Sequence, residues 1–485
     1  MKRFISTIHP EKFFVAGALF FGLITAFITP PLQSPDVDRH FLAFDAVTSK
    51  KPAITASESS VRFVEMHQYL MFHPGHKYSW ARYKDALQMK SPPDDLTSGR
   101  VVFGYPWGRL THSVPQILGI WTARQFTDRM LIQMLAGRLA NLLAYTAVVF
   151  MAIRIIPFYK WGLVLIGTMP MTLFLASTLS YDAFSIGVVF LVIAQMTNIS
   201  VSPEIVSAKK LIWFLITLAV MVVLKFPYAL IVLPALFLPS SLFKSGKTKT
   251  LFRVTVGILL LFLIIVQYSM THAAEHWYRE YRENSPTVRA YEPQIEGEWP
   301  IMRESYGQTS AAGQMKKLIV QPSDFLSHFG NTLVSPERIM LYAGSFGGCL
   351  GWLDTLLPPA ALIFFYLILI AQPILEDRPL DHFQPYLRYL YCATFISLFT
   401  LIHVVFYIAA TREISDIENV QGRYLIPFAP LLFLSLSSNW LSTKLSLKPI
   451  VAKLLFCGTV VFIQVVSIVT LLQRYYGDYW WERKI

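Results

Sequence analysis

The chain has 485 residues, of which 54% are hydrophobic and only 15% are charged, and its mean hydropathy is +0.47. These values exclude an ordinary soluble globular protein and indicate a polytopic membrane protein, with the lipid bilayer as its first partner. The formal net charge of +12 does not indicate a nucleic-acid partner, because the basic residues of such a chain gather in its cytoplasmic loops.

Apolar windows long enough to cross a membrane recur along the whole chain. A spanning helix needs about 20 apolar residues, and about eleven windows approach that length. They are 13–31, 131–153, 161–181, 183–203, two short spans within 211–243, 254–270, 355–373, 389–410, 424–441 and 454–472. We therefore expect an all-α polytopic fold in which 1–485 forms a single integral membrane domain.

The basic segments predict the orientation of these spans. Basic residues precede the first window, which we interpret as an anchor, and others lie at 154–160, 241–253 and 442–453. The positive-inside rule puts all of them on the cytoplasmic side, with an inner N-terminus and an outer C-terminus. Two long polar segments, 32–129 and 271–353, then share the outer face. This distribution favours a site at the membrane surface over the midplane pathway of a transporter.

The first outer segment opens with SPDVDRHF, which places Asp36, Asp38 and His40 next to the membrane boundary. A carboxylate there can take a proton from an acceptor hydroxyl during attack on an activated sugar carbon. The alternative is a helix start with Ser34 or Asp36 as its N-cap. The two interpretations are compatible, because a helix N-terminus on an outer loop also holds a catalytic acid in place.

Asp182, in STLSYDAF, interrupts the long apolar stretch 161–203. A charge at the centre of a membrane helix costs about 2.5 to 3.5 kcal/mol. We therefore expect Asp182 at the outer turn of a helical hairpin or beside a basic partner.

Three cations also lie in or beside apolar windows. Arg138 is predicted near the outer edge of its span, where an anionic ligand or Asp182 can pair with it, and Lys225 interrupts LKFPYAL. Arg423, in ENVQGRYLIPF, stands at the outer mouth of 424–441. Gly422 beside it permits close backbone approach, and a guanidinium can bind a phosphate through two hydrogen bonds. The alternative for each cation is interfacial snorkelling.

Other patterns are weaker. HAAEH at 272–276 matches the H-x-x-E-H zinc pattern, and HPGH at 73–76 is a loop sequence. One short match among eleven histidines does not establish a metal site, so we assign no metal ligand. Cys349, Cys392 and Cys457 are too widely spaced to indicate a disulfide framework, and we interpret them as structural.

An ordered series of motifs over 31–432 resembles the bacterial membrane family catalogued as domain of unknown function 2142. The motifs are QSPDVDRHF, YPWGRLTHSVPQILGI, GRLANLLAYTAVVFMAIRIIPFYKW, MPMTLFLASTLSYDA, LKFPYALIVLPAL, GGCLGWLDTLLP and VQGRYLIPFAPLL. That family looks like a branch of the GT-C glycosyltransferases, which take sugars from polyprenyl-phosphate donors at the outer membrane face. The resemblance implies a GT-C-like fold in a bacterial inner membrane.

The resemblance also implies roles for individual residues. The family pattern after the first span is close to P-D-E-x-x-H, so Asp36 and His40 match, while Val37 occupies the glutamate position. Asp38 next to it is therefore the alternative acid.

Further matches are implied inside the later motifs. Asp182 matches the aspartate of S-Y-D and Asp354 that of G-W-L-D, while the family's Q-G-R-Y falls on Gln421, Gly422, Arg423 and Tyr424.

The activity that the resemblance implies is transfer of a sugar from a polyprenyl-phosphate donor to an envelope glycan or lipid acceptor. Asp36 or Asp38 then acts on the acceptor, and Arg423 with Arg138 holds the donor phosphate. No cofactor is assigned, and a divalent cation stays open. Two alternatives belong to other classes: a lipid-linked glycan transporter or polymerase component, and a non-catalytic envelope assembly protein.

Overall fold

The computed structural model describes residues 8–48, 77–78, 80–90, 111–284, 311–376, 384–410, 416–437, 444 and 447–477. Within these ranges nearly all regular structure is helical. One small antiparallel hairpin pairs β1 (Cys349–Leu350) with β2 (Thr355–Leu356). The chain is an α-helical membrane protein.

The α-helices of the described ranges follow in chain order. They are α1 (Pro10–Ile28), α2 (Val37–Thr48), α3 (Trp80–Ala86), α4 (Val114–Arg124), α5 (Met130–Ile155), α6 (Lys160–Gly167), α7 (Pro170–Ala176), α8 (Asp182–Ser200), α9 (Ala208–Leu224), α10 (Leu233–Leu236), α11 (Gly246–Asn284), α12 (Ala311–Val320), α13 (Pro322–Val334), α14 (Pro336–Gly347), α15 (Pro359–Leu375), α16 (Pro385–Ala410), α17 (Ala429–Ser435) and α18 (Pro449–Tyr476). Short 3₁₀ segments are Thr111–Ser113, Phe226–Val232, Ser240–Leu242 and Gly422–Phe428.

Six helices of the described ranges are long and apolar enough to cross a membrane: α1, α5, α8, α16, α18 and the Gly246–Val266 part of α11. The expected count of about eleven spans is not confirmed. The reason is local. Pro170 begins α7, and Pro227 and Pro427 lie in 3₁₀ segments, so several apolar windows are divided into shorter pieces. Proline removes a helical N–H donor and disfavours the helical conformation of the residue before it.

The core of the molecule forms around α8. In α8, 83% of the apolar window is buried, compared with 11% in α11, whose Leu261 and Phe262 are largely exposed. Helix α8 packs on α5, where Gly187 approaches the Val148 side chain. A central helix that is apolar on every side and an outer helix with exposed leucines agree with a bundle surrounded by lipid.

Candidate functional site

The loop that carries Asp36 is held by buried hydrogen bonds. Arg138, buried in α5, donates to the carbonyl oxygens of Ala26 (2.9 Å), Thr29 (2.8 Å) and Pro30 (3.0 Å) at the end of α1. Ala26 lies in the last turn of α1, whose carbonyls have no intrahelical partner, and Thr29 and Pro30 follow directly after it. A buried guanidinium therefore fixes the direction in which the chain leaves α1.

Two residues of this loop adopt the left-handed backbone region, Leu32 at φ 65° and Asp36 at φ 57°. Such conformations cost free energy for residues other than glycine and persist only where the surroundings impose them. The Trp352 indole N–H donates to the Leu32 carbonyl (2.9 Å), and the Asp36 carbonyl accepts from the His40 N–H (3.0 Å). Helix α2 begins directly after Asp36, as expected, but the buried Ser34 hydroxyl has no hydrogen-bond partner among the described residues and does not cap the helix.

Asp182 is the first residue of α8, as the hairpin interpretation predicts. The amide of Asn141 in α5 donates to the carbonyls of Thr178 (2.9 Å) and Ser180 (3.0 Å), which anchors the turn before α8. Lys225, which follows α9, forms a short ion pair with the Asp182 carboxylate. The Asp182 carboxylate is therefore mostly buried, and its ion pair with Lys225 fixes its position.

Arg423 joins the two acidic positions. Its Nη2 lies 3.6 Å from Oδ2 of Asp36, its Nη1 lies 3.8 Å from Oδ2 of Asp182, and its Nε donates to Oε1 of Gln421 at 2.6 Å. The Arg423 side chain is 6% exposed, the Asp182 side chain 11% and the Asp36 side chain 49%. The fold therefore brings Arg423 between Asp36 and Asp182. We call Asp36, Asp182, Lys225 and Arg423 the charge cluster.

Gly422 explains how Arg423 reaches this place. A Cβ at Gly422 would lie 2.0 Å from the Tyr342 carbonyl oxygen and 2.6 Å from the Phe346 nitrogen of α14. The Gly422 N–H also donates to Oγ of Ser345 (2.7 Å). The close backbone approach expected from the sequence is confirmed.

Aromatic rings border the charge cluster. The Lys225 ammonium lies 5.1 Å from the Tyr181 ring centroid and 5.8 Å from that of Tyr228, and the Arg423 guanidinium lies 5.3 Å from that of Tyr424. These distances allow cation–π attraction. Sequence reasoning missed Tyr181 and Tyr228, although Tyr181 directly precedes Asp182 and Tyr228 lies three residues after Lys225.

His40 belongs to α2 and lies next to the charge cluster. Its ring is 4.7 Å from the Tyr181 ring. Burial lowers the pKa of His40 from 6.5 to about 4, while the carboxylates of Asp36 and Asp182 act in the opposite direction. The imidazole is therefore neutral at pH 7, and the cluster combines two cations with two carboxylates.

Other predicted site residues lie elsewhere. Arg138 contacts backbone carbonyls, as described above, and Asp354 pairs with Arg474 at the end of α18 (2.8 Å). The backbone of Asp38 belongs to α2, but its side chain lies outside the described residues, as do those of HAAEH in α11. HPGH also lies outside them. Among the described residues, no group of three or more metal-binding side chains occurs.

A family model described as "Predicted membrane protein (DUF2142)" matches residues 112–432, which contain three of the four charge-cluster residues but not Asp36. No curated protein and no solved structure matches the chain. Because the matched range covers most of the sequence, the chain belongs to the DUF2142 family of predicted membrane proteins.

Proposed function

We propose that the chain is a membrane glycosyltransferase of the GT-C type, which moves a sugar from a polyprenyl-phosphate donor to an envelope glycan or lipid. The observation that carries this proposal is the position of Arg423 between Asp36 and Asp182. A buried guanidinium beside a half-exposed carboxylate supplies an anion-binding group and a proton acceptor within one side-chain length.

The two carboxylates of the cluster are suited to different tasks. Asp182 is mostly buried and paired with Lys225, so it keeps the two cations in place. Asp36 is half-exposed, and its 3.6 Å contact with Arg423 is longer than the 2.7–2.9 Å of a charge-assisted hydrogen bond. Because water reaches Asp36 while Asp182 is enclosed with Lys225, we infer that an arriving anion replaces Asp36 and not Asp182.

This difference defines a reaction sequence. The donor phosphate takes the Nη2 side of Arg423 and releases Asp36 towards the acceptor. The acceptor hydroxyl gives its proton to the Asp36 carboxylate while its oxygen bonds to the anomeric carbon. The bond from that carbon to the phosphate oxygen breaks, and polyprenyl phosphate leaves with the electron pair. Because the leaving phosphate is already anionic, positive charge stabilises it and a general acid is not required.

The proposal assigns supporting roles around these two residues. Gln421 orients the guanidinium, Tyr424 covers its face, and Asp182, which also pairs with Lys225, opposes its charge. The cluster lies shortly after the ends of α1 and α9 and at the start of α8, which fits a site at one membrane surface. We place that surface on the outer face of a bacterial inner membrane.

Transfer is tested with the full chain in lipid nanodiscs. Radiolabelled polyprenyl-phosphate sugars are incubated with the protein and with membrane glycan or lipid acceptors, and labelled product is counted. We expect product with the native chain and none with Asp36→Asn. Product formation that is equal in the two proteins would contradict the role of Asp36, and no product with any donor would contradict transferase activity.

A further inference from the structure

Helix α14 and the β-hairpin that follows it form one continuous stretch of chain, 335–356, which we call the bracket. Three of its side chains, those of Arg338, Ser345 and Trp352, bond to distant segments. Nε of Arg338 lies 2.7 Å from Oδ2 of Asp416, in the segment that leads to Arg423. The bracket therefore contacts the chain beside the charge cluster without belonging to the cluster.

The second of these side chains holds the chain at Arg423. The Gly422 N–H donates to Oγ of Ser345 (2.7 Å), and the Ser345 side chain is fully buried. The Ser345 hydroxyl donates in turn to the Leu341 carbonyl within α14. Because Gly422 directly precedes Arg423, this bond fixes the backbone from which the guanidinium of the charge cluster extends.

The third side chain holds the loop of Asp36. The Trp352 indole N–H donates to the Leu32 carbonyl (2.9 Å), and Leu32 has a left-handed backbone conformation at φ 65°. A residue other than glycine keeps such a conformation only where its surroundings impose it. Asp36 follows in the same loop, so the bond from Trp352 restrains the backbone that carries the acid.

Asp354 fixes Trp352 within the hairpin. Its Oδ1 accepts from the Trp352 backbone N–H (3.1 Å) and from the Thr355 hydroxyl (2.9 Å). Its Oδ2 lies 2.8 Å from Nη2 of Arg474 at the end of α18. This ion pair ties the tip of the bracket to a spanning helix, which gives Trp352 a firm base.

We propose that the bracket sets the spacing between Asp36 and Arg423, with Trp352 positioning the acid and Ser345 positioning the guanidinium. The direct contact between Asp36 and Arg423 is long, at 3.6 Å, and water reaches Asp36, so this contact does not fix the spacing by itself. The catalytic consequence rests on the proposed sugar transfer, because reacting groups must be held in place to act together. The positioning itself does not depend on that activity.

Hydrogen exchange of the full chain in nanodiscs tests the positioning without any substrate. Trp352→Phe keeps an aromatic ring and removes the N–H donor, while Ser345→Ala removes the hydroxyl. We expect Trp352→Phe to speed exchange about fivefold within 33–40 and to leave 416–424 unchanged. Ser345→Ala should do the reverse, including at amides beyond Gly422, since each lost hydrogen bond shifts a local opening equilibrium.

Two matched variants control for the substitutions themselves. Trp121→Phe changes a tryptophan of α4 that is 53% exposed, and Ser435→Ala removes a hydroxyl that donates to the Leu432 carbonyl of its own helix. Neither should alter exchange in either range. If Trp352→Phe or Ser345→Ala loosened both ranges, or left its own range unchanged, the proposal would be overturned.

Transfer assays then separate positioning from general stability. We expect Trp352→Phe to lower kcat about tenfold with the donor KM unchanged, because the acid is displaced. Ser345→Ala should raise the donor KM about fivefold with little change in kcat, because the phosphate contact is weakened. The same change of both constants in the two variants would overturn the proposal. If the native chain made no product while exchange separated the two ranges, the bracket would stand and the transferase proposal would fall.

Discussion

Asp36 and Asp182 contact the same guanidinium. Because their surroundings differ, substituting them should affect stability and activity differently. Asp182 is enclosed with Lys225, and removing one member of a buried pair leaves the other charge uncompensated, which costs about 3–5 kcal/mol. Asp36 is half-exposed and keeps a long contact with Arg423. Its loss should therefore change chemistry far more than stability.

We predict that Asp36→Asn abolishes sugar transfer while the protein stays inserted and folded, since the change keeps the side-chain shape and removes the charge and basicity. Asp38→Asn is the matched control and should be milder. Product formation and thermal unfolding in detergent are measured together. If Asp36→Asn kept near-normal turnover and Asp38→Asn did not, the acid would be Asp38.

Arg423→Lys should weaken donor binding by about 1.5 to 3 kcal/mol, which is typical of a lost hydrogen bond to a charged group. An ammonium offers a point charge where the guanidinium offers parallel donors, and it cannot contact Gln421, Asp182 and Asp36 together. Arg474→Lys, in the separate pair with Asp354, is the control and should bind donor normally. Equilibrium binding of a polyprenyl-phosphate sugar to nanodiscs measures both. Equal losses in the two variants would argue against Arg423 as the phosphate ligand.

The lowered pKa of His40 predicts that the stability of the protein depends on pH. Its folded-state pKa is about 4 against an ordinary 6.5, so between these values the unfolded chain binds a proton that the folded chain does not. Stability should therefore fall as the pH is lowered from 6.5 towards 4, by at most about 3 kcal/mol, and stay constant above 6.5 for this group. Thermal unfolding at pH 7 and pH 5 measures the difference. His40→Gln should reduce it, while His9→Gln, at an exposed position, should not; identical profiles in all three proteins would refute the assignment.

At the scale of elements, the contact between α14 and the 3₁₀ segment Gly422–Phe428 places Arg423. Only a residue without a side chain fits at Gly422. Helix α14 in turn contacts α16 through Tyr342 and His403. Helix α14 therefore links the position of Arg423 to the spanning helix α16.

Gly422→Ala should destabilise the protein by about 1–3 kcal/mol, as other overpacked positions do, and should displace Arg423. The matched control is Gly458→Ala in α18, where an added Cβ meets no atom within 4 Å and alanine favours the helix. Thermal unfolding compares the two variants. If the two variants were equally stable, α14 would be able to move away from the added methyl group, and the prediction would be wrong.

At the scale of the whole molecule, the basic segments predict one orientation. A phosphatase, active only outside the cytoplasm, should be active when fused after Ile485 and silent when fused within 244–249. The physical reason is the retention of lysine- and arginine-rich loops on the cytoplasmic side. The opposite pattern would place the charge cluster on the cytoplasmic face and remove the basis for an outer-face donor.

Composition and local pattern were sufficient for the membrane class, the helix starts at Asp36 and Asp182 and the close approach at Gly422, because each depends on neighbouring residues. Tertiary structure alone decided that Asp36 and Arg423 meet, since nothing local records a contact between segments so far apart in the chain. It also showed that Arg138 donates hydrogen bonds to backbone carbonyls, which carry no sequence signature.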